Sequence, residues 1–218
     1  MKAPSCWLWW SVCACLIGGS AHATPRDSAQ LLVNQGLELE EHRNELAALR
    51  RYSDALAMDP SCEGAYLALG NLRMRRNELH EAEDVFEQAL MRVPGSAGAR
   101  LGRAKAHRAR GQMTQAAEDL RSALELAAHD GSELEVALLR EQVALARERG
   151  RPAEELPAWR RLSGVARLRS DGALLREATV QVRAITRFLD DIDPVAAGRF
   201  STDDMRRTLS AMGRRAGP

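Results

Sequence analysis

Residues 63–96 read EGAYLALGNLRMRRNELHEAEDVFEQALMRVPGS. Leu79, Ala82, Val85, Phe86, Ala89, Leu90 and Val93 recur at helical spacing, one apolar stripe on one helix. Tyr66, Leu69 and Gly70 make a shorter stripe on the helix before it. Asn77 between the two is a turn signal. Pro94-Gly95 ends the second helix, because proline cannot continue it. Gly70 and Ala82 are small where larger side chains would hold the helices apart, and Phe86 fills the gap beside them. One hairpin of this kind cannot bury its apolar face alone, so it needs stacked neighbours.

Those neighbours follow from a step of 34 residues. Residues 29–62 place Leu32, Gly36, Leu39, Ala48, Tyr52, Ala55 and Pro60 at the matching positions. Residues 97–130 keep Ala104, Ala116, Leu120 and Ala123, with Gly111 at the turn; Arg100, Arg103 and Ala128 replace the aromatic, the Leu and the Pro. The order of Tyr66, Leu69-Gly70, Ala82, Phe86, Ala89 and Pro94 resembles the tetratricopeptide repeat. The resemblance implies an all-α fold, an α-solenoid of stacked helix-turn-helix hairpins with a C-terminal helical extension. Beyond Asp130 the period slips. Helices are expected over Ser132–Glu148 and Ala153–Leu168, a divergent fourth repeat (131–168) about five residues longer than the strict period, with Trp159 near the place of Phe86 and Pro157 near the start of its second helix. Asp171 can cap a helix from Gly172 to Leu189 that resembles the terminal helix of such arrays. Ser201-x-x-Asp204 can start a short last helix with Met205, Leu209 and Met212 on one side.

Residues 1–23 read as an export signal: Lys2, an apolar run from Cys6 to Gly18 and a small-x-small site at Ala21-His22-Ala23. The run is too short to span a bilayer. The expected division is thus 1–23 signal peptide, 24–168 repeat array and 169–218 capping helices with a loose tail. The first helix is expected from Ala29, capped by Asp27 or Ser28. Cleavage after Ala23 predicts an exported protein in a bacterial periplasm or secreted. The lipobox-like Val12-Cys13-Ala14-Cys15 offers a lipid anchor at Cys15 as the competing reading. Without the leader, 30 basic residues balance 30 acidic ones. This argues against nucleic acid as a partner. Three of the four cysteines leave with the leader, so Cys62 has no internal partner. It is either an apolar filler or an intermolecular disulfide site.

No catalytic, metal or cofactor constellation emerges. His42, His80, His107 and His129 include no pair at four-residue spacing. His80 with Glu81, Glu83, Asp84 and Glu87 spreads over the solvated face of a helix. Pro94-Gly95-Ser96-Ala97-Gly98 lacks the first glycine of a nucleophile elbow, and no phosphate loop is present. Gly198–Met205 resembles the second half of an EF-hand loop. A loop starting at Asp193 would put Val195 and Ala197 where oxygen ligands are needed, and Asp204 in place of the bidentate Glu. No cofactor is expected.

The family resemblance implies that the first helix of each hairpin lines a concave groove. The implied groove residues are Val33, Asn34 and Leu37 in the first repeat, Leu67, Asn71 and Met74 in the second, and Leu101, Lys105 and Arg108 in the third. Gly98 and Gly102 stand at groove positions too, and acids of the first repeat would face bases of the third. The carboxylate clamp of cytosolic chaperone adaptors is missing, since its positions hold Val33, Leu37, Ala68, Gly98 and Gly102. The expected function is a non-catalytic scaffold binding a protein or peptide in the groove, in assembly of a cell-envelope machine. The alternative is an accessory subunit of an envelope enzyme, or an enzyme whose site is scattered through the sequence. The Met205–Met212 helix filling the groove is the bland option.

Overall fold

The structure is a computed structural model and describes residues 24–127 and 131–191. These residues form α1 (Pro25–Glu41), α2 (Glu45–Met58), α3 (Glu63–Arg75), α4 (Leu79–Arg92), α5 (Ala97–Ala109), α6 (Met113–Leu126), α7 (Glu133–Glu148), α8 (Pro152–Leu168) and α9 (Gly172–Asp190). Each helix packs on its successor along the chain, and α3, α5 and α7 also touch the first helices next to them. This is the expected α-solenoid. The expected helix 201–212 and the EF-hand-like segment lie outside the described residues.

The turns explain the period. Arg43, Asn77 and Gly111 all take positive φ, at 59°, 61° and 77°, and they are spaced by 34 residues. Each follows the first helix of a hairpin. There the next backbone N–H returns to a carbonyl five residues earlier: Asn44 to Leu39, Glu78 to Arg73 and Gln112 to His107. Gly150 repeats the turn, but 39 residues after Gly111. The fourth hairpin is therefore displaced along the sequence, partly by a longer α6–α7 link and partly by α7 itself, which has 16 residues against 13 in α5.

Helix starts follow local capping chemistry. α1 begins at Pro25, earlier than the expected Ala29, because Thr24 makes a reciprocal cap. Its hydroxyl accepts the Asp27 N–H at 3.2 Å, and its own N–H donates to the Asp27 carboxylate at 3.0 Å. Ser96 caps α5 through the Ala99 N–H at 2.8 Å while donating to Glu63 at 2.6 Å. Asp171 caps α9 as expected. α8 starts on Pro152, where the missing N–H costs nothing, and contains Pro157 one turn in.

The core is an aromatic-on-glycine arrangement. Tyr52 and Phe86 are fully buried, which is worth about 1.5–3 kcal/mol for a large apolar side chain. A Cβ built on Gly36 would lie 2.3 Å from the Tyr52 ring, and one on Gly70 would lie 2.5 Å from Phe86. Phe86 is also met from the next repeat, where a Cβ on Gly102 would approach to 2.3 Å. Gly102 thus faces Phe86 and not the groove, a correction to its expected place. In the third repeat Ala104 and Leu120 occupy the corresponding glycine and aromatic positions, and Trp159 does so in the fourth. Cys62 is 8 % exposed at the start of α3, in the core of the first two repeats.

Where the third repeat departs from the pattern, an ion pair replaces an apolar contact. Leu69 and Val85 of the second repeat are buried at the positions that Arg103 and Asp119 hold in the third. The Arg103 guanidinium meets the Asp119 carboxylate with both nitrogens, at 2.8 and 2.6 Å. Such a two-point contact satisfies a buried carboxylate. It raises Arg103 above the usual guanidinium range, chiefly through the hydrogen bonds that Arg103 donates to Asp119.

Candidate binding groove

The first helices α1, α3, α5 and α7 lie side by side and carry the inner face. Its side chains come from repeating positions on each helix, so their exposure depends on what the next repeat places against them. Val33 is 3 % exposed and belongs to the core. A Cβ on Gly64 of α3 would stand 3.9 Å from its Cγ1. Leu101 is 6 % exposed and packs in the core that the third repeat shares with α7. Both are corrections to the expected groove: they hold repeats together and present no free surface.

The remaining residues do reach the surface. Asn34 and Asn71 are exposed, and Leu37 is 46 % exposed. Leu67, Met74 and Lys105 are half-buried. Leu67 leans on Gly98, whose Cβ would come within 3.0 Å of it. Gln30 donates to Asn34 at 3.1 Å, leaving the Asn34 amide nitrogen directed elsewhere. The accessible inner face is therefore amide-rich, with Leu37, Leu67 and Met74 as its apolar points.

The expected acidic and basic ends do not survive folding. Glu40 accepts from the Tyr52 hydroxyl at 2.5 Å and from Arg75 of the next repeat. Arg108 binds Glu141 at 2.5 Å and also Glu148, both on α7. Further along, Arg140 binds Glu177 of α9 at 2.9 Å, and Arg147 meets Gln181 at 3.3 Å. The charges of the inner face are spent mostly on each other, across repeat boundaries. Sequence reasoning stopped the groove at the third repeat and missed Arg140, Arg147 and Glu177. Counting back from Gly150, as from Asn77 and Gly111, would have found the two α7 arginines.

Two buried polar groups outside the groove bear on chemistry. His107 is 8 % exposed. Its Nδ1 is 2.8 Å from Gln112 Oε1 and its Nε2 is 3.5 Å from Asp119. Both ring nitrogens thus face side chains that hold the fold, and among the described residues no hydroxyl or thiol is bonded to either. Glu155 is fully buried, bound by Arg147 at 2.9 Å and by the Trp159 indole N–H at 3.3 Å. Burial pushes its carboxyl above the ordinary value against those contacts. Arg147 lies over the Trp159 ring at 5.7 Å, a cation–π contact. Among the described residues no group of three or more His, Cys, Asp or Glu is placed to hold a metal, and no helix is long and apolar enough to cross a membrane.

The tetratricopeptide repeat family profile matches residues 33–97 and 67–133. Among solved structures, the chain is similar to a tetratricopeptide repeat protein from Parabacteroides merdae ATCC 43184, with 14% sequence identity and a TM-score of 0.53 over 86% of this chain and 68% of that one. It is also similar to YrrB, described as a TPR protein with an unusual peptide-binding site, with 20% identity and a TM-score of 0.52 over 86% of this chain and 88% of that one. At these identities the likeness concerns the fold. No curated protein sequence matches the chain. The 34-residue step, the aromatic-on-glycine packing and the profile match together establish that residues 33–133 of the chain are an array of the tetratricopeptide repeat family.

Proposed function

We propose that this protein is an exported scaffold that receives an extended peptide or one face of a helix on its inner face. Tetratricopeptide repeats form protein-interaction scaffolds, and YrrB carries a peptide-binding site by its description. The observation that carries the reading here is the set of inner-face side chains the fold does not bury: Asn34, Leu37, Asn71 and Met74, with Lys105 beyond them. Amides suit a partner's backbone, and the apolar points suit two or three side-chain anchors. The expected client is a component of a cell-envelope machine. Export is supported by the leader-like residues 1–23, which end on the small-x-small site Ala21-His22-Ala23.

A photo-crosslinking amino acid placed at Asn71, in native cells, tests the binding reading. A discrete adduct is expected from Asn71, none from Gln88 on the opposite side of the hairpin, and loss of the adduct when Leu37 and Met74 are both changed to Asp. Equal adducts from both positions, or an adduct indifferent to the double change, would refute it. Intact mass tests export: a chain starting at Thr24 is expected, and a lipid-modified chain starting at Cys15 would replace this with the anchored form.

A further inference from the structure

A second surface lies on the other side of the array. A crevice of about 570 Å³ opens between α6, α7 and α8. From α7 it takes Gln142, Leu145, Ala146 and Arg149, whereas the inner face takes Arg140 and Arg147. Its floor is apolar, with Leu120 and Ala146 each 2 % exposed and Leu145 4 % exposed. Leu124 and Pro157 form its walls. The volume lies within the range of small-molecule sites, about 300–1,000 Å³.

The sequence explains why the space is there. Leu120 stands where Tyr52 and Phe86 stand in the first two repeats, so the third repeat lacks an aromatic ring at this place. The α6–α7 link, residues 127–132, is two residues longer than the α4–α5 link, residues 93–96. The crevice thus opens at the joint where the filling residue is smallest. The lip carries charge. Arg121 on α6 has no ion-pair or hydrogen-bond partner among the described residues, and Glu125, one turn on, is not within ion-pair distance of it. Glu154 at the same lip is taken by Arg149 at 3.6 Å and Arg151 at 2.8 Å.

We infer that this crevice binds an amphipathic monoanion: an aliphatic or aromatic body on Leu120, Leu124 and Leu145, with its carboxylate or sulfonate at Arg121. An apolar body displaces water from the floor, where burial is favourable. The anion remains at the lip, where it stays partly hydrated and gains Arg121, the crevice guanidinium without a partner among the described residues, since Arg149 is held by Glu154 and Arg161 by Glu135. A fully apolar ligand would leave Arg121 unused, and a multiply charged one would have to bring further charge onto a floor without polar groups.

The test uses the full chain with two probes, 8-anilino-1-naphthalenesulfonate followed by fluorescence and decanoate as competitor. Saturable one-to-one binding of the dye, displaced by decanoate, is expected. Leu120→Phe fills the floor and should weaken both ligands about tenfold or more. Ala117→Leu narrows the same crevice from its rim and carries the test should Leu120→Phe misfold. Arg121→Gln should weaken decanoate by about three- to tenfold and leave a neutral analogue, decanol, unchanged. Leu37→Asp on the inner face should change nothing. Absence of saturable binding, indifference to both filling variants, or loss through Leu37→Asp would each overturn the assignment.

Discussion

Gly70→Ala adds one methyl group at the most confined backbone position of the second repeat. Its Cβ would fall 2.5 Å from Cε1 and Cζ of Phe86, about 1 Å inside ordinary carbon–carbon contact. The ring cannot retreat, because the Gly102 side of the same ring is equally close, at 2.3 Å for a built Cβ. Overpacking of this kind costs about 1–3 kcal/mol. Alanine returns about 1 kcal/mol of helix propensity. The expected net loss is therefore about 0–2 kcal/mol for alanine, and larger for Gly70→Leu, which brings three more carbons for a similar propensity gain. A loss of 1 kcal/mol corresponds to roughly 2–4 °C in Tm at this chain length. The decisive assay is a double-mutant cycle by denaturant unfolding. In a Phe86→Leu background the obstacle is gone, so Gly70→Ala should stabilise by about 1 kcal/mol. The coupling between the two sites should reach about 1–3 kcal/mol. If Gly70→Ala has the same effect in both backgrounds, Phe86 does not seat on Gly70 and the packing argument fails.

The other predictions concern groups whose setting was not obvious beforehand. Val33→Asp and Leu101→Asp should each cost several kcal/mol, on the order of 3, measured by urea unfolding, whereas Leu37→Asp should stay within about 0.5 kcal/mol. Tyr52 is pushed up to about 12 by burial. Its protonated form is favoured in the folded state, so the stability it contributes is complete below pH 10 and is lost as pH rises from 10 towards 12; Tyr52→Phe should remove this alkaline loss, and ultraviolet titration should show one phenol ionising late. Asp119→Ala should destabilise by about 3 kcal/mol, because it leaves Arg103 half-buried without its carboxylate. The double change Arg103→Leu with Asp119→Val, which restores the residue types of Leu69 and Val85, should recover most of that loss.

The fold was readable because the tetratricopeptide pattern writes its contacts at fixed offsets. Gly70, Ala82 and Phe86 could be placed against each other from spacing alone, as could the turn at Asn77. The start of α1 was misplaced because Thr24 and Asp27 form a reciprocal cap, which a stripe of apolar residues does not signal. The groove was less legible for a related reason. Helical spacing tells which way a residue points within its own hairpin, but Val33 and Leu101 are covered by other repeats. Whether a residue is covered depends on the neighbour's residue at that height, such as Gly64 against Val33. Charge behaved likewise: acidic and basic counts suggested opposite ends, while Glu40–Arg75 and Arg108–Glu141 cancel locally across boundaries. The crevice had a sequence signal, Leu120 in place of an aromatic beside a lengthened link, but only against the complete repeats on either side.

The two-sided seat of Phe86 also governs how the array comes apart. The ring completes its packing only when Gly102 of the following repeat is in place, so the second and third repeats share one structural element and should melt as a unit. Leu120 offers the fourth repeat no such ring, and the longer link holds α7 further along the chain. Cooperativity is therefore expected to be stronger across the second boundary than across the third. A chain built this way has a natural parting line between α6 and α7. The first three hairpins are expected to open as one unit and the last helices as another, although Leu138 and Leu145 of α7 still share a core with Leu120; hydrogen exchange showing one common opening for α1 to α9 would refute this.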